Sequence, residues 1–189
     1  MRIVAGHYRG RKLVYPDSRA VRPTQDRVRE ALFNIITALV PGATVLDLFA
    51  GSGAMGLEAL SRGAEKATFV DNNFKCIDCI GRNVESIGVE DRVTIMRRDW
   101  AAAMDKFRKN GEKFDIIMAD PPYYMGIPKK VLIKLDAYDI VSQNNIIIIE
   151  RHCKDTIPEK LRTIAVYDER KYGDTVLSFY RKKEQNGIL

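Results

Sequence analysis

The sequence predicts an α/β fold: a mainly parallel, seven-stranded sheet with helices on both faces, an antiparallel edge strand and a short N-terminal β-hairpin. Three observations predict it. From residue 43 onward, strand-length apolar runs alternate with segments of helical period, as in a parallel sheet joined by crossover helices. An acid stands in or just after the end of four successive runs (Asp47, Asp71, Asp99 and Asp120), although acids are poor strand residues. The last two runs follow one another with no full helix between them, which calls for antiparallel pairing.

Taken in order, residues 1–20 alternate around Gly6 and Gly10 and read as a basic, aromatic β-hairpin arm, with residues 21–189 as the main domain. Thr24 is the expected N-cap of the first helix. Val28, Ala31, Leu32, Ile35, Ile36 and Leu39 then recur at helical spacing, and Pro41-Gly42 ends the pattern. Strands are expected at 44–49, 66–71, 92–97, 114–119 and 145–150, and shorter ones near 162–168 and 174–181. Helices are expected near 54–62, 73–87, 100–109 and 128–136.

The chain of 189 residues is long enough for one domain with a real core. No apolar run approaches the ~18 residues of a membrane span. The N-terminus has no apolar signal core, so a cytoplasmic location is expected. Cys76, Cys79 and Cys153 make an odd count, which fits free thiols in a reducing compartment. The net charge is +6, and its position matters more than its size. Residues 1–30 hold eight Arg and Lys against three acids, so nearly all of the excess lies at one end. Such a cluster fits a phosphate-binding arm, with nucleic acid favoured over a merely solvated basic terminus.

Leu46-Asp47-Leu48-Phe49-Ala50-Gly51-Ser52-Gly53-Ala54-Met55-Gly56 reads as a strand, a glycine-rich turn and a helix start. The glycines match G-x-G-x-x-G, and Asp71 lies where an acceptor for ribose hydroxyls is needed. That motif alone fits NAD as well as any other adenosine cofactor. Asp47 shifts the balance, because a carboxylate there suits a cationic ligand group better than a pyrophosphate. Adenosine joined to an amino acid and a sulfonium is S-adenosylmethionine. Asp120-Pro121-Pro122-Tyr123 shifts it further. Prolines stiffen the loop and leave carbonyls undonated to. A carboxylate and a carbonyl there can together accept both hydrogens of one exocyclic amine.

Other candidates read as structural. Cys76-Ile77-Asp78-Cys79 has no second cysteine pair and lies on a predicted helix, so it is read as packing. His7 and His152 lack partners at ligand spacing and are read as surface or arm residues. No metal is expected. Trp100 is read as packing, and Ile146 to Ile149 as a buried strand.

Asp47-Leu48-Phe49-Ala50-Gly51-Ser52-Gly53 together with Asp120-Pro121-Pro122-Tyr123 resembles the Rossmann-like class I amino-methyltransferases. Arg9-Gly10-Arg11-Lys12-Leu13, Arg22-Pro23-Thr24 and Arg27-Val28-Arg29-Glu30-Ala31-Leu32-Phe33-Asn34 are similar to the RsmD family, which methylates N2 of a guanine in 16S ribosomal RNA. Gly56-Leu57-Glu58-Ala59-Leu60-Ser61-Arg62-Gly63 and Lys171-Tyr172-Gly173-Asp174-Thr175 fit as well, and Val21 departs from the common threonine. The resemblance implies that Asp47, Phe49, Ala50, Gly51, Ser52 and Gly53 hold the methionine part of S-adenosylmethionine. It assigns Asp71 and Asn72 to the ribose, and Asp99 with the Trp100 backbone to adenine. Asp120 and the Pro121 carbonyl grip the target amine, Pro122 belongs to the same catalytic loop, and Tyr123 stacks on the target base. Arg2, His7, Arg9, Arg11, Lys12 and Arg22 become RNA contacts. The implied substrate is 16S ribosomal RNA in an assembling or assembled small subunit, met by a monomer. An adenine-N6 enzyme and a non-catalytic ribosome-assembly factor are the alternatives.

Overall fold

Near-continuous apolar strands need cover on both faces, and the helices supply it. The computed structural model describes residues 1–16 and 26–183. Along the chain lie α1 (Asp26–Ile35), β1 (Thr44–Leu48), α2 (Ala54–Ser61), β2 (Lys66–Asp71), α3 (Phe74–Ile87), β3 (Val93–Arg97) and α4 (Trp100–Asn110). They are followed by β4 (Phe114–Ala119), α5 (Ile127–Ala137), β5 (Val141–His152), β6 (Ile164–Tyr172) and β7 (Thr175–Lys182). The seven strands form one sheet in the order β3-β2-β1-β4-β5-β7-β6. The first five pair in parallel, and β7 pairs antiparallel with both β5 and β6. The reversed strand therefore lies one place in from the edge, and β6 closes the sheet.

Alternate strand residues feed two cores. Val45, Phe69, Ile116 and Met118 pack with Leu32 and Phe33 of α1, Leu57 and Leu60 of α2, and Ile80 and Val84 of α3. Leu46, Leu48, Val70, Ile117 and Ile147 pack with Met104 and Phe107 of α4 and with Val131, Leu132 and Leu135 of α5. Each such side chain contributes roughly 1.5–3 kcal/mol on full burial.

Three elements differ from expectation. The first helix was expected to run to residue 39, but α1 stops at Ile35 and a separate 3-10 turn covers Thr37–Leu39. The expected N-cap Thr24 lies outside the described residues. β5 begins at Val141 rather than 145, because Ser142-Gln143-Asn144-Asn145 carries no apolar signal. Side-chain bonds define that start: Ser142 Oγ donates to Asp115 Oδ1 at 2.5 Å, and Asn145 Nδ2 donates to the Ser142 and Gln143 carbonyls. β6 extends to Tyr172 through Asp168-Glu169-Arg170-Lys171. Charges on an outer strand discourage edge-to-edge pairing and hide the strand from hydropathy.

The N-terminal hairpin closes through one antiparallel bridge, Arg2 to Lys12. Ile3 and Leu13 are buried in the core of α1–α3. The turn rests on the end of α2, where His7 N–H donates to the Ser61 carbonyl at 2.7 Å and Tyr8 N–H to Ser61 Oγ at 2.9 Å. Gly6, with φ +83, is required there: a Cβ would stand 2.0 Å from the Ser61 carbonyl oxygen. Glu58, also on α2, accepts from Val4 N–H at 2.7 Å and Ala5 N–H at 3.0 Å.

Candidate active site

Sheet register brings the acids to one edge. Leu48 pairs with Val70 and with Ala119, and Ala119 pairs with Ile149. The residues that follow are Phe49, Asp71, Asp120 and Glu150. Neighbouring strands lie about 4.8 Å apart, so the glycine turn after β1 and the Asp120 loop after β4 leave the sheet side by side. This carboxyl edge is where open parallel sheets bind ligands.

Backbone bonds hold the glycine-turn half of this edge. Asp71 Oδ2 accepts from Gly51 N–H at 2.9 Å and its Oδ1 accepts from Asn73 N–H at 2.8 Å. Each oxygen keeps a lone pair for another donor. Phe49 has φ +63, a costly conformation for an aromatic residue. Its ring lies 6.1 Å from that of Trp100. A cleft lined by Phe49, Val70, Asp71, Asn72, Arg98 and Trp100 opens here, apolar at two rings and polar at Asp71. Those residues suit an adenosine. Asp99 caps α4, its Oδ1 accepting from Ala101 N–H at 2.9 Å and Ala102 N–H at 3.3 Å. Trp100 is half-buried and serves both the cleft and the core beneath it.

Asp47 is 3% exposed, and its Oδ2 accepts from Gly56 N–H at 3.0 Å. Burial pushes its pKa up to about 8, against the opposing Gly56 hydrogen bond and with the charge of Asp71 adding. In the unfolded chain the group ionises near its ordinary value of about 3.9. Over the window from about 4 to about 8 the folded protein therefore keeps a proton that the unfolded chain has lost. The stability from this group is complete below the window and is lost as pH rises through it.

Around Asp120, Pro121 is buried and Tyr123 half-buried. The Tyr123 hydroxyl lies 3.2 Å from Glu150 Oε1 and 3.2 Å from Thr175 Oγ1. Its pKa rises to about 12, through burial first and then through the charges of Glu150 and Asp120, with the Thr175 hydrogen bond opposing. The phenol therefore stays protonated and donates. Tyr15, at the end of the N-terminal hairpin, is also pushed up to about 12, by burial, then by Cys76 and by the Asp120 carboxylate. The end of the hairpin thus lies within electrostatic reach of Asp120. Asn83 of α3 secures that segment: its Oδ1 accepts from Val14 N–H at 2.8 Å, and its Nδ2 donates to the Val14 and Ser52 carbonyls at 3.0 and 2.9 Å.

Arg2, His7, Arg9, Arg11 and Lys12 are exposed on the hairpin, and Arg22 lies outside the described residues. Arg29, counted in the basic stretch, is fully buried 3.7 Å from Glu58 and gives a ligand nothing. His152, expected at the surface, is 6% exposed at the end of β5, with its ring 4.8 Å from that of Tyr124. Its Nδ1 accepts from Lys154 N–H at 3.1 Å. Ligand atoms of His152, Cys153 and Asp174 lie within 4.8 Å of one another. Cys76 and Cys79 are buried on α3; burial raises both thiols, Cys76 to about 12, and the Cys79 thiol donates to the Val14 carbonyl.

Glu150, Tyr124, Glu58 and Asn83 were not among the sequence candidates. Glu150 had a usable signal, since it ends the fifth apolar run as the other acids end theirs. The rest act through partners far away in the chain.

Ribosomal RNA small subunit methyltransferase D of Escherichia coli strain K12 is 31% identical over 185 residues, covering 98% of this chain and 91% of that protein. The solved structure of yhhF from Escherichia coli matches with a TM-score of 0.83 and 31% identity, covering 98% of this chain and 99% of the other. The structure of SMU.776 complexed with SAH shares the fold at a TM-score of 0.70 and 18% identity, over 85% of this chain and 50% of that one. Residues 1–181 match the family described as conserved hypothetical protein 95. The chain belongs to that family, which is the RsmD family.

Proposed function

We propose that this chain transfers a methyl group from S-adenosylmethionine to the N2 amine of a guanine in 16S ribosomal RNA, within an assembling or assembled small subunit, and acts as a monomer. The observation that carries the reading is the register of β1 with β4, which sets the glycine turn beside Asp120-Pro121-Pro122-Tyr123. The name of the Escherichia coli relative and the SAH held by SMU.776 support it.

S-adenosylmethionine supplies an electrophilic methyl on a sulfonium. Asp47 and the turn from Phe49 to Gly53 are assigned to its amino-acid part, Asp71 and Asn72 to the ribose, and Asp99 and Trp100 to adenine. The guanine amine is a weak nucleophile because its lone pair is delocalised into the ring. Asp120 and the Pro121 carbonyl accept its two hydrogens, which favours a pyramidal nitrogen and turns the lone pair outward. The rate gain comes from orientation and from acceptors fixed in advance. The base leaves its stack to reach them, and the Tyr123 ring returns roughly 1–3 kcal/mol of stacking.

Two results are expected. A cation bound at Asp47 favours its ionised form, so cofactor binding near pH ~6.5 should release about one proton. Calorimetry in buffers of different ionisation enthalpy measures this, and Asp47→Asn should abolish the release. Reversing Arg9, Arg11 and Lys12 to Glu should weaken RNA binding and lower its salt slope by roughly 0.7 or more per lost phosphate contact, while S-adenosylhomocysteine affinity holds. An unchanged slope refutes the arm as an RNA contact. Charge reversal tests this better than deletion, since Ile3 and Leu13 belong to the core. Mass mapping of ribosomal RNA from cells with and without the protein, then restoration in vitro, tests the function as a whole. A missing N2-methylguanine supports it; an unaltered map or a missing N6-methyladenine refutes it.

A further inference from the structure

Two adjacent tyrosines follow Pro122, and the structure treats them differently. Tyr123 is held by its hydroxyl against Glu150 and Thr175. Tyr124 is 71% exposed and has φ +64. For a bulky residue this left-handed conformation is a genuine outlier, of the kind retained where the surrounding structure enforces it at a functional site. Glycine takes the same conformation freely two residues later, at Gly126 with φ +62. The strained backbone sends the Tyr124 ring into solvent, and the buried His152 ring supports it from 4.8 Å.

The two tyrosine rings are 6.1 Å apart and nearly perpendicular, at 83°. One flat base can lie face to face with only one of them. Extruding a target nucleotide also strips its neighbour of a stacking partner, and unstacked RNA bases are commonly taken up by aromatic side chains. Resting on the function proposed above, we propose that Tyr124, supported by His152, stacks on the base next to the methylated guanine and so positions the RNA strand, while Tyr123 serves the target base.

The test uses the full chain, an RNA carrying the mapped guanine, and that RNA made abasic at its 5′ or 3′ neighbour. Tyr124→Ala and Tyr124→Gly should lower kcat/KM for RNA by ~5- to 150-fold, the range that corresponds to one lost stack. Tyr124→Phe keeps the ring and should restore most of the loss. S-adenosylhomocysteine affinity should be unchanged throughout. Thermal stability should hold or rise in Tyr124→Gly, because the strain is relieved; a structural role predicts a fall. On one of the two abasic RNAs the wild-type protein should lose the same factor, and Tyr124→Ala should cost nothing further. Full kcat/KM in Tyr124→Gly, an undiminished Tyr124→Ala penalty on both abasic RNAs, or loss confined to assembled subunits overturns the proposal; the last would mark a protein contact instead. A wild-type protein inert on every RNA and on small subunits carrying the same unmodified guanine refutes the function itself, a separate outcome.

Discussion

Asp120→Ala is expected to lower kcat by at least ~10²–10³-fold, the usual cost of removing one preorganised polar group from a reacting centre. Cofactor affinity should stay within about twofold, since the groups assigned to the cofactor are secured elsewhere. Asp71 is bonded to Gly51 and Asn73, and Asp47 to Gly56. Asp120→Asn is the milder variant. It keeps the volume and the one acceptor asked of residue 120 but loses the negative charge, so it should lower kcat by less than Asp120→Ala. Single-turnover methyl transfer and calorimetry with S-adenosylhomocysteine separate the two effects, and normal turnover in Asp120→Ala would end the assignment.

The second large effect belongs to Glu58→Ala. This carboxylate has no exposed surface and serves Val4 N–H, Ala5 N–H, the Arg62 guanidinium at 2.8 Å and the buried Arg29 at 3.7 Å. Removing one partner of a buried ion pair typically costs about 3–5 kcal/mol. For a chain of this size Tm should fall by roughly 6–20 °C. Because the hairpin loses its anchor, RNA affinity should fall as well. The double variant Glu58→Leu with Arg29→Met removes both charges and should recover part of the lost Tm, since the penalty lies in the uncompensated charge. No recovery, or a Tm within about 2 °C of wild type in the single variant, would show that the ion pair is not what seats the hairpin.

Reading the chain locally went far because most of this fold is written in local periods. β1, β2, β3 and β4 begin and end within a residue of expectation, since buried parallel strands are apolar runs bounded by turns. It fell short where the signal was polar. The first turn of β5 and the far half of β6 are strand by virtue of hydrogen bonds to partners, Asp115 in one case and β7 in the other. Charge counting likewise grouped Arg29 with the exposed cations of the hairpin, although the fold buries it against Glu58.

The sequence by itself determined the strand and helix succession, the acids at strand ends, the glycine turn and the Asp120 loop. Those features are set by residue types at short, regular spacing. Only the tertiary structure decided that Glu150 and Thr175 hold Tyr123, that Tyr124 stands strained and exposed beside it, and that Glu58, Ser61 and Asn83 dock the N-terminal segment onto α2 and α3. Each of these pairings joins residues 27 to 69 positions apart, or rests on one backbone dihedral. A side chain's partner across such distances is chosen by sheet register and by helix packing, and no local pattern encodes it.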